Sequence, residues 1–129
     1  MRRIGLLGIV MLLALASTAL AQDAQDPVKL HPNIYKVEFE NSQVRVIRAK
    51  MAPHEKTDLI DMRDMVVVPL TNYQTAVKDA AGKSAEIKRV AGKPAWVPQG
   101  SKEIEAGDQP VEAILIELKG PPVNKTAGQ

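Results

Sequence analysis

Residues 84–118 read SAEIKRVAGKPAWVPQGSKEIEAGDQPVEAILIEL. The stretch divides into short segments rich in branched residues: SAEIKRV (84–90), AWVP (95–98), KEIEA (102–106) and VEAILIEL (111–118). Between them stand Ala91-Gly92-Lys93-Pro94, Pro98-Gln99-Gly100 and Gly107-Asp108-Gln109-Pro110. Several segments alternate apolar with polar residues, the pattern of a strand that turns one face to a core. Glycine and proline clusters end each one before a helical period can establish itself.

The same punctuation continues toward the N-terminus, at Asp79-Ala80-Ala81-Gly82, Thr71-Asn72, Pro53-His54-Glu55 and Glu40-Asn41-Ser42. It separates IYKVEF (34–39), QVRVIRAKM (43–51), MVVVPL (65–70) and YQTAVKD (73–79). About eight short strands with turns at regular spacing predict an all-β sandwich or barrel. Pro69 inside an apolar run places that end of its strand at an edge or a bulge, because proline donates no ladder hydrogen bond. No internal repeat and no second domain is visible.

The ends read differently. Residues 1–21 combine Arg2 and Arg3, an apolar run and Ala19-Leu20-Ala21, the features of a signal peptide rather than a retained anchor. Residues 22–33 are polar, interrupted by proline and without period, which predicts a flexible lead-in to a barrel over 34–119. The tail over 120–129 is expected to be disordered. Without the leader's two arginines, 15 basic residues face 15 acidic ones, so no net basic patch argues for nucleic acid or an anionic membrane surface. The chain has no cysteine, so an exported domain must rely on its core and not on disulfides. The expectation is a periplasmic or secreted protein with no membrane span after leader cleavage.

Gly92 followed by Pro98-Gln99-Gly100, together with ENSQVRV (40–46), Ala52-Pro53-His54-Glu55 and ILIELK (114–119), resembles the small single-domain members of the cupin superfamily. The resemblance implies a double-sheet jelly-roll barrel of the cupin type over roughly residues 34–119, and a homodimer. It also implies a metal held by histidines and a glutamate. If His54 stands at the first glycine of the family's first motif, Ile60 and Met62 fall on two histidine positions and Val66 or Val67 on the glutamate. Lys102 or Glu103, depending on one residue of turn length, falls on the third histidine.

Aliphatic side chains and a thioether do not supply the donors that a divalent transition metal needs, so neither metal nor cofactor is expected. His31 and His54 are the only histidines. His54, Asp58, Asp61 and Asp64 are rich in donors, but alternation along a strand sends them to both faces, and solvated loop carboxylates are the expectation. Period two puts Ile60, Met62 and Val66 on one face. The interior is then either filled core, the first expectation, or a small apolar ligand pocket with polar groups at its mouth.

Candidate ligand-binding residues are Lys102, Glu103, Trp96, Met62, Ile60, Arg63 and His54. Each has a structural alternative: a surface ion pair for Lys102 or Glu103, core packing for Trp96, and solvent exposure for Arg63 and His54. No catalytic residue is assigned. No serine has a His-Asp partner pattern and no glycine-rich phosphate loop is present. Tyr73 and His54 are the thin candidates for acid–base chemistry. The expected function is a small-ligand-binding or protein-interaction module of the cell envelope. The alternative is an enzyme of the superfamily, isomerase or dioxygenase-like, that is metal-independent or holds an unconventional metal.

Overall fold

The computed structural model describes residues 25–120. The expected leader and the tail beyond Gly120 lie outside the described residues. Along the chain come α1 (Pro27–Leu30), β1 (Tyr35–Glu40), β2 (Val44–Met51), β3 (Ile60–Met62), β4 (Met65–Pro69), β5 (Tyr73–Asp79), β6 (Ser84–Arg89), β7 (Ala95–Val97), β8 (Gly100–Ala106) and β9 (Val111–Leu118). The strands form two antiparallel sheets, ordered β1-β2-β9-β4-β7 and β3-β8-β5-β6. The expected double-sheet jelly roll is what the chain builds. Eight of its strands coincide with the eight expected segments, and β3 is an addition, a three-residue edge strand paired only with β8.

The longest ladder joins β2 to β9 over eight consecutive pairs, from Val44 opposite Leu118 to Met51 opposite Val111. Paired residues share a face, so this register assigns the interior. Ile47 lies opposite Leu115, Ala49 opposite Ala113 and Met51 opposite Val111, all buried. On the far side of β9, Met65, Val67 and Pro69 of β4 continue the same face. Buried aliphatic side chains of this kind contribute about 1.5–3 kcal/mol each. Pro69 fits the edge expectation locally, because β7 pairs with β4 only from Met65 to Val67 and the Pro69 carbonyl accepts the Gly92 N–H instead.

Two expectations need correction. Val66 does not share a face with Ile60 and Met62. The chain crosses from one sheet to the other at Arg63 and Asp64, which resets the alternation and turns Met65 and Val67 inward. Residues 25–33, expected to lack regular structure, contain a helical turn. The Asp26 carboxylate caps α1 by accepting the Val28 N–H, and Pro27 opens the helical turn and is buried. A single turn is too short to leave a hydrophobic period, which is why a proline-interrupted polar segment concealed it.

This segment is fastened through Arg45. Its Nη1 and Nη2 groups donate to Asp26 Oδ2 and Oδ1 at 3.0 and 2.8 Å, and its Nε donates to Glu117 Oε1 at 2.6 Å. Glu117, directly opposite Arg45 on the inner face, is 1% exposed. Its Oε2 has no hydrogen-bond partner among the described residues. Burial alone pushes the Asp26 carboxyl up, but the Arg45 hydrogen bond and charge outweigh it and hold the group below the ordinary aspartate value.

Arg45→Met would strand the buried Glu117 carboxylate without a donor. It is expected to cost about 3 kcal/mol in urea unfolding, the size typical of removing one partner from a buried pair. Because Asp26 titrates low when folded, its contribution is complete above the ordinary carboxylate range and disappears as the pH falls through the folded-state value. Unfolding free energies measured against pH should therefore show wild type more stable than Asp26→Asn near neutrality, with the difference closing in acid.

Candidate functional site

Two hollows open between the sheets, and Met62 lines both. One is a polar cleft of about 530 Å³ over Asp26, Arg45 and Glu117, with Arg63 and Lys119 on its walls. Its charged groups are largely engaged with one another: Arg45 as above, Lys119 with Glu40, and Asp61 with the Ser101 hydroxyl. The other is a cavity of about 290 Å³ inside the barrel, with walls that are mostly apolar. The interior is therefore hollow where filled core was the first expectation.

The reason for the void is volume. At the middle of the long ladder two alanines, Ala49 and Ala113, face the interior side by side, and both line the cavity. Large neighbours such as Leu115 and Met51 flank this pair without covering it. The opposite wall comes from β5, β6 and β8, whose registers pair Tyr73 with Arg89, Thr75 with Ile87 and Val77 with Ile104, all of them lining residues.

Register also settles the choice between the two β8 candidates. Lys102 pairs with Ile60 across β3 and β8, on the inner side, and lines the cavity. Glu103 points the other way and forms an ion pair with Lys78 at 3.5 Å. Ile60 is fully buried behind the wall and Met62 lines the cavity itself. Arg63 is exposed and belongs to the polar cleft. Trp96 contributes to the cavity's edge, but it pairs with the outward-facing Val66 and is 44% exposed, so it is not the core residue expected.

His54 lies outside the cavity, 66% exposed in its side chain, with Nε2 3.0 Å from Asp108 Oδ1. Its backbone has φ 64°, a left-handed conformation that favours glycine, and this is the position where the resembled motif carries glycine. Tyr73 is inside the barrel, so the two residues considered for acid–base chemistry are not brought together. The four donors His54, Asp58, Asp61 and Asp64 do not converge either. Asp58 is exposed next to His31, whereas Asp64 is buried, against expectation, and its carboxylate accepts the Gln99 N–H. No group of three or more metal-ligating side chains is found among the described residues. The lining chemistry of Met62, Val67 and Lys102 does not fit the transition metal that the fold suggests.

Arg89 is the residue sequence reasoning missed. It stands opposite Tyr73 in the β5–β6 ladder, and burial raises the Tyr73 phenol while the Arg89 charge partly offsets that rise. Burial, followed by the nearby Arg89 charge, pushes the Lys102 ammonium down. The signal was available: in SAEIKR, alternation from Ile87 carries Arg89 to the apolar face. Alternation along VEAILIEL likewise carries Glu117 to the buried face. The cavity lining contains no aspartate, glutamate or histidine.

No protein-family model matches the sequence, and no curated protein matches it either. Solved structures do. A cupin domain from Bordetella pertussis Tohama I is similar with a TM-score of 0.62 and 24% identity, covering 67% of this chain and 93% of that one. A conserved protein with a double-stranded β-helix domain from Klebsiella pneumoniae gives a TM-score of 0.55 at 15% identity, over 70% of this chain and 79% of that one. An RmlC-like cupin family protein from Methanocaldococcus jannaschii gives 0.52 at 10%, over 74% and 85%. Two facing antiparallel sheets in this order, hollow between Ala113 and Val77, are the double-stranded β-helix, and the protein has the fold of the cupin superfamily.

Proposed function

We propose that the protein is an exported binding module of the cell envelope that holds a small molecule inside its barrel without transforming it, the family's metal ligands having been replaced. The observation that carries this proposal is the cavity of about 290 Å³, apolar over most of its wall and without a carboxylate or imidazole on it. Ligand sites are concave and mainly apolar, with a few polar groups to fix orientation. Acid–base catalysis by a histidine or carboxylate has no residue inside the cavity to perform it. The volume limits the guest to a small molecule, at the lower end of the usual range for ligand pockets.

Export is supported by the basic start, apolar run and small-residue site of residues 1–21. The proposal includes a homodimer. Strand β1 is an outer strand with one unpaired edge, and it carries Phe39, 55% exposed.

The test uses the methionine methyl resonances of the purified protein, since Met51, Met62 and Met65 all line the cavity. Titration with toluene is expected to shift these three methyls saturably. Val77→Phe, which occupies the opposite wall, should weaken the binding by about tenfold or more, equivalent to about 1.4 kcal/mol. Methyls that stay fixed with toluene and with every other small apolar probe would sink the proposal.

A further inference from the structure

We infer that the guest is a small monocarboxylate with an apolar body, its carboxylate held at the cavity wall between Lys102 and Arg89. This deepens the binding proposal above and rests on it. Both cations lie on the inner face by register, Lys102 opposite Ile60 and Arg89 opposite Tyr73. Both line the cavity, and both are half-buried.

Neither cation has a carboxylate partner within ion-pair distance among the described residues. The Lys102 ammonium makes only a long contact of 3.4 Å to the Pro98 carbonyl. Asp79 stands opposite Lys102 in the β5–β8 register, but its carboxylate is engaged in the next turn, accepting the Ala81 and Lys83 N–H groups at 3.0 and 2.9 Å. Glu103 is on the other face with Lys78, and Glu86 is on the outside with Gln74. The Arg89 charge is repulsive to Lys102 and, after burial, helps push its ammonium down.

Two like charges half-buried on the wall of one cavity are unfavourable, and an anion entering that cavity offsets both the repulsion and part of the desolvation cost. The donor set is small: the lysine ammonium, the arginine fork and the Tyr73 hydroxyl. A carboxylate has two oxygens to satisfy, which these donors can do, and the arginine fork matches its plane. A phosphate would bring a third oxygen and a second charge into a wall that is otherwise apolar. The rest of the guest faces Val77, Ile87 and Ala113, which offer no polar partner.

The experiment compares phenylacetate with its neutral isostere phenylacetamide, reading the same methionine methyls together with calorimetry. Phenylacetate is expected to bind about tenfold more tightly or better. Lys102→Met should lower the ratio several-fold, with Arg89 retaining part of the preference. Arg89→Lys, which keeps the charge but removes the planar fork, should weaken phenylacetate binding without reversing the preference. Equal binding of acid and amide, or tighter binding of phenethylamine, would overturn the anion assignment and leave the cavity proposal standing. Tighter binding of phenyl phosphate than of phenylacetate would overturn the choice of carboxylate. Silence with every probe, toluene included, would overturn both proposals. Urea unfolding of each variant separates a lost preference from a lost fold.

Discussion

The β2–β9 ladder is the constraint on which the rest of the structure depends. Its uninterrupted pairing fixes which residues of the larger sheet face inward, and in doing so it sets three different environments along one line. Arg45 and Glu117 meet at one end, Ile47 and Leu115 pack next to them, and Ala49 and Ala113 leave space beyond. A slip of one residue would exchange the faces completely, sending the apolar set to solvent and the charged pair's neighbours inward. The pairing is therefore strongly specified, and the buried ion pair contributes to that specification as much as the aliphatic residues do, because neither Arg45 nor Glu117 can tolerate the interior alone.

From this line the two ends of the barrel acquire different characters. At the Arg45 end, charge is neutralised locally and helix α1 is drawn across the opening by Asp26. Beyond it the wall is mostly apolar, and among the described residues the two cations on β6 and β8 have no carboxylate within ion-pair distance. The first arrangement closes a structure. The second leaves two half-buried cations on a mostly apolar wall.

How much of this was legible in the sequence depends on the range of the interaction. Strands were readable because alternation and turn residues are local, and VEAILIEL is β9 residue for residue. Helix α1 was not, since one turn leaves no period, although Asp26-Pro27 carried a capping signal. Val66 was misplaced because alternation holds only within a strand, and the crossover at Arg63 and Asp64 restarted the count. Lys102 was on the candidate list, but choosing it over Glu103 needed the β3–β8 register, which no local pattern supplies. Whether the interior was filled or hollow depends on volumes contributed by strands far apart in sequence, so two alanines on β2 and β9 revealed their effect only when the sheets faced each other.

Size and charge are set in this barrel by different sheets. In the binding reading proposed above, Ala49 and Ala113, in the five-stranded sheet, would limit how large a guest fits, while Lys102 and Arg89, in the four-stranded sheet, would determine its sign. Because the two pairs lie on separate ladders, exchanging an alanine for valine or glycine alters one property with little effect on the other. Specificity in such a scaffold would have two coordinates, each carried by a different sheet.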